Sequence, residues 1–161
     1  MRTGPRRVVA GLDTDGKSCV LHDERIPFAA DVATMEVASI WSGPVAGAGA
    51  GAGADNAAPL AEGLAPFSME RLFGPFYSFM YVEYAPGLGR DDPGMHFTNT
   101  ADHFFVLEGE LVLVLESGDV AMRAGDVGIC RGVMHGWRND SDKPARLITF
   151  VLPAAPVGSA G

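Results

Sequence analysis

Three scarcities narrow the field before any motif is read. Cysteine occurs twice in 161 residues, at Cys19 and Cys130. Two thiols without partners at metal-ligand spacing build neither a disulfide framework nor a zinc finger, so both read as small buried hydrophobes in a reducing compartment. Positive charge is sparse. Twelve Lys and Arg stand against 20 Asp and Glu, for a formal net charge of −8. A nucleic-acid footprint needs a basic face, and an anionic membrane surface asks for the same, so neither is expected as a partner. Long apolar runs are missing too. No stretch approaches the ~20 residues of a membrane span. The basic start, Met1 to Arg7, is followed only by Val8, Val9 and Ala10 before polar residues return. That is too short for a secretory signal, and the expected location is the cytoplasm. Amphipathic helices are also lacking; residues 67–73 offer at most a short helical turn.

What is present suits one folded domain over residues 1–161. Hydrophobic residues make up 47% and charged residues 20%, enough to build a core. Short apolar runs recur between glycine, proline and aspartate. They predict strands at 7–10, 18–22, 35–41, 76–84, 104–107, 111–116, 120–123, 127–130, 135–138 and 146–152. Many short strands with closely spaced turn signals read as an all-β sandwich or barrel, with its core at about 76–152. Glu108-Gly109 and Ser117-Gly118 are hairpin-turn dipeptides. The span 43–66 carries an alternating Ala-Gly tract from Ala46 to Ala54 and reads as a flexible insertion. The tail, 153–161, should fray.

Chemistry concentrates in two segments. One runs from Met95 through His96, Thr98, Asp102 and Phe104 to Gly109. The other holds Gly125, Arg131, Gly132, His135, Trp137 and Asn139. Side chains on a strand alternate faces, so Asp102, Phe104 and Val106 share one face, as do His135 and Trp137. If both sets point inward, His96, Asp102 and His135 converge. Two histidines and one carboxylate are a plausible facial ligand set for a divalent metal. The same groups also suit a metal-free acid–base pair in which Asp102 orients a histidine.

The two segments resemble the paired motifs of the cupin family. His96 stands at the first histidine position of the first motif, Thr98 where a second histidine is usual, Asp102 in place of the glutamate, and Gly109 at its close. Gly125, Gly132, His135 and Asn139 match the second motif, with Cys130 replacing a proline. The match covers about Pro86 to Leu152. It implies a double-stranded β-helix, or jelly-roll barrel, preceded by N-terminal strands, and a homodimer that shares strands. It implies a small-molecule enzyme in which His96, Asp102 and His135 hold Fe, Mn, Ni or Zn and polarise a carbonyl, enol or carboxylate. Dioxygenase, decarboxylase, isomerase and dehydratase chemistry all fall within that range. Thr98 is a poorer ligand than imidazole, which keeps two alternatives open: a binding or sensing protein without turnover, and a metal-free lyase or isomerase.

Met80, Tyr81, Thr98, Phe104, Arg131 and Trp137 complete the expected pocket around a small organic molecule. Arg131 is placed to clamp a substrate carboxylate. For the run 76–84, alternation leaves open whether Ser78, Met80 and Val82 or Phe79, Tyr81 and Glu83 turn inward. His103 follows Asp102 and should face outward, while His22 is expected at a surface or interface.

Overall fold

The computed structural model describes residues 3–29, 35–45 and 60–155. The tract Ala46 to Ala54 and the last part of the tail lie outside the described residues. Ten strands follow in chain order: β1 Thr3–Leu12, β2 Ser18–Pro27, β3 Glu36–Pro44, β4 Phe76–Tyr84, β5 Thr100–Glu108, β6 Glu110–Leu115, β7 Gly118–Arg123, β8 Val127–Arg131, β9 His135–Arg138 and β10 Ala145–Pro153. Among the described residues two short helices, α1 Leu60–Gly63 and α2 Met69–Phe73, precede β4. Among the described residues no helix is long and apolar enough to cross a membrane.

The strands form three antiparallel sheets. β1 and β2 make a hairpin, β3-β4-β10-β5-β8 a five-stranded sheet, and β7-β6-β9 a three-stranded one. Alternation explains the core. β4 turns Ser78, Met80, Val82 and Tyr84 inward, and β5 turns Phe104 and Val106 the same way. The three-stranded sheet answers with Leu111, Leu113 and Met122, so the two sheets bury one shared apolar cluster. Burial of such side chains stabilises each by about 1.5–3 kcal/mol. Gly109 turns β5 into β6 at a φ of +79°, where a Cβ would also lie 2.9 Å from the Pro144 carbonyl oxygen. Only glycine combines that backbone with that space.

The N-terminal hairpin is tied to the five-stranded sheet by a buried guanidinium. Arg7 donates to the Ser39 and Ile40 carbonyls at 3.2 and 3.0 Å and pairs with Glu24. The opposite face of the five-stranded sheet keeps apolar side chains in solvent. Phe105 is exposed on β5, and Val127 and Ile129 on the edge strand β8 are 71% and 61% exposed.

α2 is short but well specified. Ser68 caps it by accepting from the Arg71 amide at 3.2 Å, the usual service of a serine N-cap. Arg71 then lies 4.5 Å over the Phe76 ring and reaches Ser42 Oγ, fixing α2 against β3 and β4. Met69 and Phe73 remain half exposed or more. α1 leans on β3 through Gly63, where a Cβ would overlap the Trp41 ring.

Candidate functional site

A reciprocal pair of backbone hydrogen bonds sets the site. His96 and His135 face each other across a bridge, the His96 amide donating to the His135 carbonyl at 2.8 Å and the His135 amide to the His96 carbonyl at 3.0 Å. Gly136 lets the segment before His96 lie this close, since a Cβ there would stand 2.6 Å from the Pro93 carbonyl oxygen. The two imidazole centroids are therefore 4.4 Å apart. Asp102 enters from the five-stranded sheet, opposite Cys130 and Val151 in register. Its Oδ2 lies 3.9 Å from His135 Nε2, and its buried Oδ1 has no hydrogen-bond partner among the described residues.

The tautomers follow from the backbone. His96 Nδ1 is 2.8 Å from the Gly94 carbonyl and His135 Nδ1 is 2.9 Å from the Val133 carbonyl. A carbonyl only accepts, so each Nδ1 carries a hydrogen, and in the neutral ring Nε2 is the nitrogen with the lone pair. Burial lowers the pKa of His135. The Val133 carbonyl opposes this, the neighbouring His96 reinforces it, and Asp102 opposes it. His135 is thus held neutral. Burial, followed by the charge of Asp102, pushes the Cys130 thiol up to about 11 and moves Tyr84 well above the ordinary phenol value.

Among the described residues no group of three or more His, Cys, Asp or Glu side chains stands ready-arranged around a metal position. The donor set itself fits one. Two imidazoles, each with Nδ1 held by a backbone carbonyl so that Nε2 is left for a ligand bond, and one carboxylate with an orphaned oxygen are what a facial two-histidine, one-carboxylate centre requires.

These three groups border a cavity of about 340 Å³. Met80, Thr98, Phe104 and Trp137 line it. Phe104 meets Trp137 edge to face at 4.9 Å. Two expected pocket residues are elsewhere. Tyr81 belongs to the outward set of β4 and packs 6.2 Å from Phe28, because Met80 and Val82 take the inward positions. Arg131 is exposed on β8; its neighbour Cys130 takes the inward position, so alternation turns the guanidinium away. His103 lies on the outward face of β5, opposite Phe150.

The structure adds residues that sequence reasoning missed. Tyr84 continues the inward set of β4 and reaches the cavity, as do Thr100 and Thr149. The parity of Met80 was the signal for Tyr84. Phe67, Met69, Leu72 and Phe73 close one side of the mouth from α2 and the segment before it. Their apolar spacing over one helical turn was too short to assign.

Residues 80–151 match the family model described as "Cupin domain". The oryzines biosynthesis cluster protein J of Aspergillus oryzae is 44% identical over 79 residues, covering 48% of this chain and 42% of that protein. The cupin-domain-containing oxidoreductase srdB of Neurospora crassa is 42% identical over 78 residues, covering 47% of this chain and 38% of that protein. The chain thus spans well under half the length of these relatives. Among solved structures, the cupin domain of Schizosaccharomyces pombe Cnp3 covers 92% of this chain and 87% of its own at 13% identity, with a TM-score of 0.54. Likeness at that identity shows the fold, a double-stranded β-helix.

Proposed function

Residues 80–151 being a cupin domain, we propose that the protein is a small-molecule oxidoreductase whose reactive centre is His96, Asp102 and His135. The observation that carries this is the meeting of two imidazoles and a partly orphaned carboxylate at the edge of an apolar cavity. Polar groups placed so in an otherwise apolar pocket are the usual mark of a reactive site. The relatives named as cupin-domain oxidoreductases support the redox assignment.

His96 Nε2, His135 Nε2 and Asp102 would hold a divalent cation of the iron, manganese, nickel or zinc group. Such a cation, when bound, supplies Lewis acidity and, for a redox-active metal, an electron couple. The chain's own residues do the rest. The Gly94 and Val133 carbonyls hold both rings in one tautomer. Phe104 and Trp137 supply an apolar wall beside the centre, and Asp102 stays positioned to take charge or a proton beside His135.

A second reading is favoured by the 3.9 Å approach of Asp102 to His135. It uses the pair as a metal-free acid and base, in a lyase or isomerase. Metal analysis of protein purified without chelator separates the two. The oxidoreductase reading expects about one divalent metal per chain, lost in Asp102→Ala. Protein that turns substrate over with no metal, and is untouched by chelator, overturns it in favour of the acid–base pair.

The proposal extends to assembly. Exposed Phe105, Val127 and Ile129 beside the free edge of β8 suit a second copy of this chain, since exposed apolar edges invite pairing. Light scattering is expected to give the mass of a dimer, and Val127→Asp with Ile129→Asp that of a monomer. A wild-type monomer at micromolar concentration overturns the homodimer.

A further inference from the structure

Resting on that small-molecule reading, we propose that Tyr84 is a substrate-binding residue. Its phenolic hydroxyl donates a hydrogen bond to an oxygen of a neutral, mainly apolar substrate. Tyr84 is 4% exposed and lines the same cavity as His96, Asp102 and His135. Its backbone is anchored, the carbonyl accepting from Asn139 Nδ2 at 3.1 Å. Its ring is 6.0 Å from Trp137. Yet the hydroxyl bonds to none of the described residues. The residue lines the cavity, so the hydroxyl is left to find its partner there, in solvent or in a ligand. An acceptor carried in by the ligand supplies the missing partner.

Outside the reactive centre the lining offers an anion no partner. Among the described residues no Lys or Arg borders the cavity, whereas Asp92 and Asp102 do. A carboxylate or phosphate held at Tyr84, away from any cation at that centre, would meet no counter-charge, and desolvating an unpaired anion is expensive. With Arg131 facing solvent, the clamp that an acid substrate would need is absent from the pocket wall. The remaining wall is Met80, Phe104, Trp137 and Leu147, with Phe67 and Leu72 from the mouth. At about 340 Å³ the space is near the lower end of the ~300–1,000 Å³ common for ligand pockets. A compact ring system bearing a ketone, enol or hydroxyl fits this description.

Three probes of one shape test it: 1-tetralone, tetralin and tetralin-1-carboxylate, titrated calorimetrically at neutral pH into the full chain and its Tyr84→Phe variant, both freed of metal by chelator so that no bound cation pairs with the acid. The wild type is expected to bind 1-tetralone about fivefold to tenfold tighter than tetralin, the worth of one hydrogen bond. Tyr84→Phe should erase that ratio while leaving tetralin affinity unchanged, which also reports an intact pocket. The carboxylate should bind at least about tenfold more weakly than the ketone. A ratio that survives Tyr84→Phe, a carboxylate that binds best, or a wild type that binds neither neutral probe overturns the inference. Binding is read here without turnover. Failure of the Tyr84 contrast therefore leaves the reactive centre standing, and an inert centre leaves the contrast measurable.

Discussion

Replacing His135 by glutamine is expected to lower turnover by about 10²- to 10⁴-fold, the range that a positioned acid–base or ligand group contributes. Glutamine preserves bulk, and its amide can still donate to the Val133 carbonyl that now orients the imidazole. What it lacks is the Nε2 lone pair facing Asp102 at 3.9 Å. Near-ultraviolet dichroism should therefore stay native while activity falls. A variant within threefold of wild type would remove His135 from the chemistry. The pH profile checks the same residue differently. Whether His135 holds a cation or moves a proton, it must be neutral, and burial depresses its pKa. The acid limb of kcat/KM should then lie below the ordinary imidazole value of about 6.5. The unfolded chain takes up this proton first on acidification. Folding stability should accordingly decline as pH drops from about 6.5 toward the folded value. A limb centred above 6.5 would contradict a buried neutral His135.

How much of this was legible in the residues depends on which force fixes each one. The boundaries of β4 and β9 coincide with the runs read from the sequence. There, apolar alternation and turn residues act within a few positions of each other. Asp102 and Phe104 share the inward face for the same local reason. The facing of β4 could not be read, because both its parities are rich in apolar and aromatic side chains. Only pairing with β3 and β10 decides that Met80, and not Tyr81, enters the barrel. Arg131 illustrates the converse error. Proximity in sequence to Gly132 and His135 suggested the pocket mouth, but the inward place on β8 belongs to Cys130. The close approach of His96 to His135 depends on contacts across nearly forty residues of chain, including the space that Gly136 leaves for Pro93. The motif resemblance supplied this pairing where local patterning was silent.

Asn139→Ala should be among the most destabilising single substitutions, at about 3–5 kcal/mol. Asn139 is fully buried and makes no apolar contribution that alanine would need to replace. Its Nδ2 shares two hydrogens among the carbonyls of Tyr84, Ala85 and Lys143 at 3.1, 3.1 and 2.8 Å. Its Oδ1 accepts from the Ser141 amide and hydroxyl at 3.0 and 2.7 Å. One side chain thus joins the end of β4, the loop after β9 and the approach to β10. Truncation strands several buried polar groups together, each at about 1–3 kcal/mol, and partial entry of water recovers some of that. Asn139→Asp separates bonding from packing. It keeps the volume and the Ser141 contacts but turns an acceptor toward three carbonyls, so it should destabilise at least as much as alanine. Against a total stability of about 5–15 kcal/mol, either change should lower the melting temperature by about 10 °C. Because the Tyr84 carbonyl is one of the three acceptors, the loss also loosens the wall of the cavity. Denaturant titration showing less than about 1 kcal/mol for both variants would mean that backbone pairing alone closes this end of the barrel.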